Sequence, residues 1–251
     1  MSFSLKSSLV LFFAATQFVA ALDPKCAPGG NLDLAKWKLQ LPTGEPGSPN
    51  SIEGSKLNGC TGFQEAGTFF SDPKDGALVM KVAGSPKSAY CVTTKNSLHC
   101  RTELRESNPL SWDPKAATNR LKATLVVVKA DDSARGTVVG QIHIDDKISS
   151  KPVCELYYNS KGVITMGVEK TRAGGSSIYT EIATVPVGTG FSYEISYEKN
   201  VLGVSVNGGV VKTLSTNELN APLSYFKAGN YNQGDSPSEV HLFDLDVTHT
   251  K

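Results

Sequence analysis

Three short segments place ionisable and amide side chains at every second position, which is the spacing of one face of a β-strand. These groups can together neutralise an anion and transfer protons. They are Arg101, Glu103 and Arg105 in "RTELRE", Gln141 and His143 in "VVGQIHI", and Tyr225, Lys227 and Tyr231 in "YFKAGNYNQ".

Each segment also has a second face that can pack in a core. By the same alternation, Val139 is expected on the face of Gln141 and His143, while Val138, Gly140, Ile142 and Ile144 form a small, apolar face. For a single strand, the polar face could be the solvent side of an ordinary antiparallel sheet. Side by side on one sheet, the three polar faces would form a positively charged groove, which we interpret as the wall of an active site.

A groove with His143 and Tyr231 at its centre fits the cleavage of a uronic acid polymer by β-elimination. The proton on C5 is removable only when the adjacent carboxylate is neutralised, and Arg and Gln donors can stabilise the enolate-like intermediate. A base then takes that proton and an acid protonates the leaving oxygen on C4, which are roles for His and Tyr. This scheme requires no metal and no organic cofactor.

Other classes of function stay open on the residues alone. A non-catalytic, lectin-like jelly roll could hold an acidic glycan in the same groove. His143-Ile144-Asp145 also spells the His-x-Asp half of the facial triad of a non-haem iron oxygenase, but Gln141 would then have no role. A glycoside hydrolase is disfavoured, because it needs two opposed carboxylates and Glu103 is the one acidic residue on the three polar faces.

The elements that must position these groups are short alternating runs separated by turn residues, with little helical periodicity. Asn207-Gly208 predicts a hairpin turn. Residues 41–62 are rich in Pro, Gly and Ser and predict a long loop, and residues 215–220 predict one helical turn. Many short strands with regular turns predict a single all-β domain, a sandwich or related jelly roll of antiparallel sheets.

The N-terminus has the pattern of a secretory signal peptide. Lys6 precedes the apolar run "LVLFFAATQFVAA", and small residues lead to an expected cleavage after Ala21. We therefore expect a signal peptide over 1–21, one domain over 22–251 and an extracellular, soluble monomer with no membrane association. Without Lys6, basic and acidic residues are equal in number, so general binding to nucleic acid is not expected.

Five cysteines in an oxidising compartment predict disulfides and one unpaired thiol. Cys91 and Cys100 bracket a short segment just before "RTELRE", so we pair them. Cys26 with Cys60 would then tie the N-terminal region to the body, although spacing alone does not fix this connectivity. Cys154 lies in a strand-like run and is expected to be the buried free thiol.

In order and spacing, "RTELRE", "QIH" and "YFKAGNYNQ" resemble the three signature segments of the alginate lyases of polysaccharide lyase family 7. The neighbouring family 18 lyases have similar segments. The resemblance covers most of the chain and implies a β-jelly roll of two antiparallel sheets, whose concave sheet forms the substrate cleft. It also implies an acidic polysaccharide, alginate, as the substrate. The cysteines around residues 91–100 differ from bacterial members, and we interpret the chain as a secreted, fungal-type member.

The resemblance also implies roles, position by position. Arg101 and Gln141 neutralise the substrate carboxylate, His143 is the base or part of the neutralising set, and Tyr231 is the acid and a second candidate for the base. Supporting positions in the cleft fall on Glu103, Arg105, Lys227 and Gln233.

Two positions add detail to the resemblance. Asn230 stands where the family has an aliphatic residue, and alternation points it away from the cleft, so an altered packing contact is expected. Ile142 is associated in the family with guluronate-containing substrates. The sequence thus predicts an endo-acting alginate lyase that leaves 4,5-unsaturated ends, with glucuronan as an alternative substrate.

Overall fold

Alternating apolar and polar residues, interrupted by turns, fold the chain into strands joined by short connections. The computed structural model describes residues 21–250, in which the helices are three single turns: α1 (Pro28–Asn31), α2 (Gly54–Leu57) and α3 (Pro86–Ala89). The strands are β1 (Trp37–Glu45), β2 (Ser48–Ile52), β3 (Phe69–Ser71), β4 (Leu78–Val82), β5 (Arg101–Glu106), β6 (Thr118–Lys129), β7 (Thr137–Ile144), β8 (Pro152–Tyr158), β9 (Val163–Val168), β10 (Ile178–Thr184), β11 (Gly190–Glu198), β12 (Val201–Val206), β13 (Lys212–Leu214), β14 (Ser224–Tyr231) and β15 (Ser238–Thr250).

The strands form two antiparallel sheets that pack face to face. The first, here called the cleft sheet, has the order β10-β9-β8-β7-β14-β5-β1-β2, and the second, the back sheet, has the order β13-β12-β11-β6-β15-β4-β3. Leu104 and Phe226 of the cleft sheet and Leu125 and Leu242 of the back sheet are fully buried in the shared core. The predicted all-β jelly roll of two antiparallel sheets is confirmed.

A β-bulge in β7 corrects one detail of the predicted faces. The pairing of β7 with β8 shifts between Val138 and Gly140. Val139 consequently packs in the core between the sheets, whereas Val138 contacts Tyr157 and Tyr231 on the opposite face. Strict alternation had placed these two valines the other way round, because a bulge inserts one residue and reverses the side-chain direction.

A second irregularity lies in β14 at Gly229. Its φ of +141° is rarely adopted by residues with a side chain, and a Cβ there would lie 2.8 Å from the carbonyl oxygen of Thr102. The pairing of β14 with β7 shifts between Ala228 and Tyr231, next to this glycine. The shift brings Tyr231 opposite Val138, so the glycine helps to set the position of the tyrosine.

Two predictions about connections are wrong. Residues 41–62 are not one long loop, because β1 continues to Glu45 and β2 runs from Ser48 to Ile52 at the edge of the cleft sheet. Residues 215–220 form a turn, not a helical turn. The predicted hairpin is confirmed: Asn207 and Gly208 both have positive φ, and the chain reverses there between β12 and β13.

The cysteine predictions are confirmed. Disulfides join Cys26 to Cys60 and Cys91 to Cys100, and Cys154 is a buried free thiol. The second disulfide closes the segment that leads directly into β5. It therefore fixes the chain just before the first of the predicted catalytic residues.

The predicted signal peptide falls almost wholly on residues 1–20, outside the described residues, and the structure does not test it. Within residues 21–250, no helix has both the length and the apolar character needed to cross a bilayer.

Candidate active site

A cavity of about 410 Å³ lies on the outer face of the cleft sheet, and all four predicted catalytic residues line it. Arg101 belongs to β5, Gln141 and His143 to β7, and Tyr231 to β14. These three strands are neighbours at the middle of the sheet. Segments distant in sequence therefore converge on one site.

Strand register explains this convergence. β14 lies between β5 and β7, with Tyr231 opposite Arg101 on one side and Lys227 opposite Gln141 on the other. Directly opposed residues of adjacent strands have neighbouring side chains on the same face. The alternation seen in the sequence thus becomes a continuous polar surface.

Glu103 is the centre of the polar contacts at this surface. The side chain is only 2% exposed, and its carboxylate accepts hydrogen bonds from Arg101 Nη1 at 3.0 Å, Lys227 Nζ at 3.0 Å and the amide of Gln141. A buried charge requires such partners. Glu103 therefore orients three of the groups that the sequence assigned to substrate contact.

The charges in this cluster shift each other's protonation. Burial would raise the pKa of Glu103, but Lys227 and Arg101 outweigh burial and lower it, so the carboxylate stays ionised. Burial lowers the pKa of Lys227 to about 8, against the opposing effect of Glu103. Lys227 is thus a cation that can lose its charge just above neutral pH.

Arg101 is held by hydrogen bonds and by stacking, and its Nε has no partner among the described residues. Its Nη2 donates to Ser97 Oγ at 3.0 Å, and its guanidinium carbon lies 3.5 Å from the ring centroid of Tyr231. Its Nε is buried without a hydrogen-bond partner in residues 21–250, as is Nε2 of the neighbouring Gln40. Unpartnered buried donors are uncommon, and these two belong to residues that line the cavity.

His143 is arranged as a neutral imidazole. Its Nδ1 lies 2.8 Å from the carbonyl oxygen of Ile144, which can only accept, so Nδ1 carries the hydrogen and Nε2 has the free lone pair. Burial, followed by the charge of Lys227, lowers the pKa of His143 to about 3. Tyr225 stacks on the ring with centroids 5.0 Å apart and fixes its orientation.

Tyr231 is 9% exposed and packs on Val138 and Tyr157. Its hydroxyl lies 3.1 Å from Ser97 Oγ, and Ser97 in turn donates to the carbonyl of His99 at 3.1 Å. The phenol therefore has a polar partner at the cavity wall and a fixed ring position.

The structure places one of the predicted supporting residues in the cavity and another outside it. Arg105 lines the 410 Å³ cavity, donates to Asp146 at 2.6 Å and lies over the ring of Tyr225. Gln233 does not line the 410 Å³ cavity. Its side chain donates to the carbonyl of Asn232 and lines a neighbouring cavity of about 520 Å³.

Sequence reasoning missed several residues of the site. Ser97 precedes β5 in an irregular segment, and Asp146 lies just beyond the end of β7. Glu155 of β8 carries no motif, but it is directly opposite Gln141 and lines the cavity. Two of these can be sought from sequence because they flank signature segments, whereas Glu155 requires the strand pairing.

The His-x-Asp arrangement does not develop into a metal site. Asp145 accepts a hydrogen bond from the main chain of Lys147. In the described part of the chain, no group of three or more His, Cys, Asp or Glu side chains is placed to hold a metal ion.

Comparison with known proteins decides the family. A family model described as alginate lyase matches residues 32–249, which is most of the chain. The chain belongs to the alginate lyase family. No curated protein matches this alginate lyase at a significant level.

Solved structures agree with this assignment. A family 7 alginate lyase, A1-II′, in which one tyrosine is replaced by phenylalanine and a GGG product is bound, is 28% identical with a TM-score of 0.76, over 90% of this chain and 100% of that chain. The same enzyme with a His-to-Asn and a Tyr-to-Phe replacement, in complex with the substrate GGMG, gives 27% and 0.74 over 90% and 97%. An alginate lyase from Pseudomonas aeruginosa gives 29% and 0.71 over 87% and 100%.

These findings confirm the predicted family and the predicted enzyme class. The protein is a lyase with the fold of polysaccharide lyase family 7, and an acidic polysaccharide is the substrate that the family implies.

Proposed function

We propose that the protein is a secreted, endo-acting alginate lyase that cleaves 1,4-linked uronate polymers by β-elimination and leaves a 4,5-unsaturated sugar at the new end. The observation that carries this proposal is the convergence of Arg101, Gln141, His143 and Tyr231 on one cavity, with His143 held neutral.

Neutralisation of the substrate carboxylate falls to Arg101 and Gln141, supported by the charge of Lys227. Arg101 has an unpartnered Nε, and its orientation is already fixed by Glu103 and Ser97. Donors that are oriented before the substrate arrives need little reorganisation when charge develops, which is how an enolate-like intermediate is stabilised.

The proton transfers use His143 and Tyr231. The C5 proton passes to Nε2 of His143, the electrons of the C5–H bond form the C4–C5 double bond, and the C4–O bond breaks as the Tyr231 hydroxyl protonates the leaving oxygen. The free Nε2 lone pair of His143 and the position of both residues on one cavity support these roles. Tyr231 is also a candidate for the base, and the two uronates can differ in which residue removes the proton.

The test mixes the purified mature chain with mannuronate-rich, guluronate-rich and alternating alginate blocks and with glucuronan, and follows the ultraviolet absorbance of the new conjugated double bond. His143→Ala and Tyr231→Phe are expected to lower the rate by roughly 10²- to 10⁴-fold. His241→Ala is the matched control, because His241 pairs with Glu239 on the back sheet. Full activity of Tyr231→Phe on every block would contradict the assigned acid.

The substrate panel also separates the alternatives. Cleavage of glucuronan alone would favour a different polyuronate, and binding without any absorbance change would favour a non-catalytic glycan-binding protein. We expect a guluronate preference from the family association of Ile142. That side chain is fully buried in the core and does not line the cavity, so any effect on preference must be indirect.

Secretion is supported by two disulfides, which persist in oxidising compartments. Intact mass of the protein from culture medium is expected to correspond to a chain beginning at Leu22. Light scattering is expected to give the mass of a monomer. A mass that includes residues 1–21 would contradict the predicted cleavage, and the mass of a dimer would contradict the predicted monomer.

A further inference from the structure

A row of side chains leads away from Tyr231 across the cleft sheet. Tyr231 is directly opposite Val138, and Val138 is directly opposite Tyr157. The three side chains form one buried cluster, and the ring of Tyr157 meets the ring of Tyr179 edge-on with centroids 5.9 Å apart. We call Tyr231, Val138, Tyr157 and Tyr179 the aromatic strip.

Gly167 makes room for the outer half of this strip. It lies on β9 between Glu155 of β8 and Tyr179 of β10. A Cβ at this position would lie 2.8 Å from Tyr179 and 3.2 Å from Tyr157. The missing side chain lets both rings lie over the β9 backbone on the cleft face.

The strip ends at a cation. Arg135, in the connection between β6 and β7, places its guanidinium carbon 3.4 Å from the ring centroid of Tyr179. Arg135 is exposed, and it forms no ion pair with any carboxylate in residues 21–250. A guanidinium held by stacking keeps its donors directed outward, which suits the recognition of a carboxylate.

Two of the acidic groups beside this path line the cavity and are shifted towards the neutral acid, whereas a third, Glu181 of β10, is exposed and lies opposite Thr165 in the row of Tyr157. Glu155 accepts a hydrogen bond from the hydroxyl of Tyr157, and burial raises its pKa. Burial also raises the pKa of Glu169, the other glutamate that lines the cavity. Both shifts favour the neutral acid, which reduces repulsion of a polyanion at the cavity end of the path.

We propose that Arg135, held on Tyr179, forms a distal subsite that binds the carboxylate of a uronate several sugar units from the bond that is cleaved. Three strand spacings of about 4.8 Å separate β14 from β9, over which the ring of Tyr179 lies, so the subsite is on the order of 14 Å across the sheet from Tyr231. The inference rests on the proposed function, since it assumes that the polymer follows the aromatic strip. It predicts that the enzyme distinguishes long chains from short ones.

The test compares kcat and KM of the wild type and Arg135→Gln on alginate oligomers from trisaccharide to decasaccharide and on polymer. We expect the ratio of kcat/KM on polymer to that on trisaccharide to fall about 5- to 10-fold, chiefly through KM. Arg135→Lys is expected to restore part of the ratio. Lys199→Gln, which changes an exposed cation in the turn between β11 and β12 of the back sheet, is expected to keep the wild-type ratio.

Tyr179 provides a second readout. Tyr179→Ala removes the support of Arg135 and is expected to lower the ratio as Arg135→Gln does, with no further fall in the double variant. Tyr179→Phe retains a ring and is expected to keep the ratio. An equal loss on all lengths, no loss on any length, or additive losses would each overturn the subsite.

Failure of the proposed function is distinguishable from failure of the subsite. A wild type that generates no ultraviolet absorbance refutes the lyase. The subsite is then judged by calorimetric binding of decasaccharide and trisaccharide, with and without Arg135→Gln. Equal affinities of the wild type and Arg135→Gln for decasaccharide would refute the subsite. A weaker affinity of Arg135→Gln for decasaccharide, with an unchanged affinity for trisaccharide, would support it.

Discussion

Glu103 orients other residues of the site without a part in the proposed proton transfers. It gathers Arg101, Lys227 and Gln141 by hydrogen bonds at the floor of the cavity. Its negative charge also offsets part of the positive charge of the two cations when no substrate is bound. The cost of burying these charges is therefore reduced before a uronate arrives.

Lys227 is expected to set the alkaline limit of activity. Its pKa of about 8 means that the ammonium becomes neutral as pH rises through that value, so less positive charge faces the substrate. We expect kcat/KM to fall above about pH 8 in the wild type. Lys227→Met is expected to have a lower plateau without this fall.

The measurement is a pH–rate profile at constant ionic strength. Lys38→Met serves as the control, because Lys38 is a cation of the same sheet that pairs with Glu53. An unchanged alkaline fall in Lys227→Met would assign the limit to another group.

Ser97 is expected to act as a positioning residue for Tyr231 and Arg101. Ser97→Ala removes the partner of the phenol and one partner of the guanidinium. The loss of such a hydrogen bond lowers the rate by about 5- to 10-fold, and we expect it in kcat with KM nearly constant. Thr94→Ala, another cavity residue, is the control. A change in KM alone would contradict the role.

At this scale, sequence reasoning found the groups whose types are unusual for a strand face, such as Arg101, His143 and Tyr231. It missed Ser97 and Glu155, because a serine or a glutamate is common on any surface and only the fold makes it a neighbour. His249 lies outside the three polar segments and has a structural contact, since its Nε2 lies 2.6 Å from a carboxylate oxygen of buried Glu106.

Among the elements, the segment between Cys91 and Cys100 is irregular and is held by a disulfide, whereas the strands are held by their pairing in the sheets. It carries Ser97 to the cavity wall and ends where β5 begins at Arg101. The Cys26–Cys60 disulfide instead closes a longer part of the chain whose two cysteines lie outside the cavity lining. We therefore expect Cys26–Cys60 to contribute mainly to the stability of the fold and Cys91–Cys100 mainly to the geometry of the active site.

Removing each disulfide tests this difference. The sequence separations are 34 and 9 residues, so loss of Cys26–Cys60 is expected to destabilise the protein by roughly 1 kcal/mol more than loss of Cys91–Cys100. The double-serine variant at 91 and 100 is expected to lose more kcat. Urea unfolding and kcat of both variants are compared. If one variant lost more than the other in both the free energy of unfolding and kcat, the two disulfides would not have separate roles.

Strand positions were largely predictable, because alternation and turn residues are local signals. The misread element was the β1–β2 hairpin within residues 41–62, where Pro42, Gly44 and Pro49 suggested a loop. β2 lies at the edge of the sheet, where missing N–H donors and glycines are tolerated. The bulge that exchanges Val138 and Val139 depends on cross-strand pairing and has no local signal.

For the whole molecule, buried polar groups join the two sheets alongside the apolar core. Glu106 of β5 binds His249 of β15, together with the indole of Trp112. Asn230 of β14 donates to the carbonyl of Met80 on β4 and accepts from Ser238 of β15. The departure from the family at Asn230 is thus a packing contact on the inner face, as expected.

Replacing this residue by the aliphatic type of the family is expected to destabilise the chain. Asn230→Val would leave Met80 and the hydroxyls of Ser238 and Thr137 without this partner, at about 2–4 kcal/mol. Because Asn230 faces away from the cavity, kcat at low temperature should be retained. Urea unfolding is the measurement, with exposed Asn58→Val as the control. An unchanged free energy of unfolding would contradict this prediction, because the former partners of Asn230 would then have found other hydrogen bonds.

Labelling of the buried Cys154 thiol can report how often the two sheets separate. The thiol is fully enclosed between the sheets, and burial raises its pKa to about 12. The remaining cysteines of the chain are oxidised in pairs and are inert to alkylation. The rate at which a maleimide labels the native enzyme therefore counts excursions in which the sandwich comes apart, without any introduced probe.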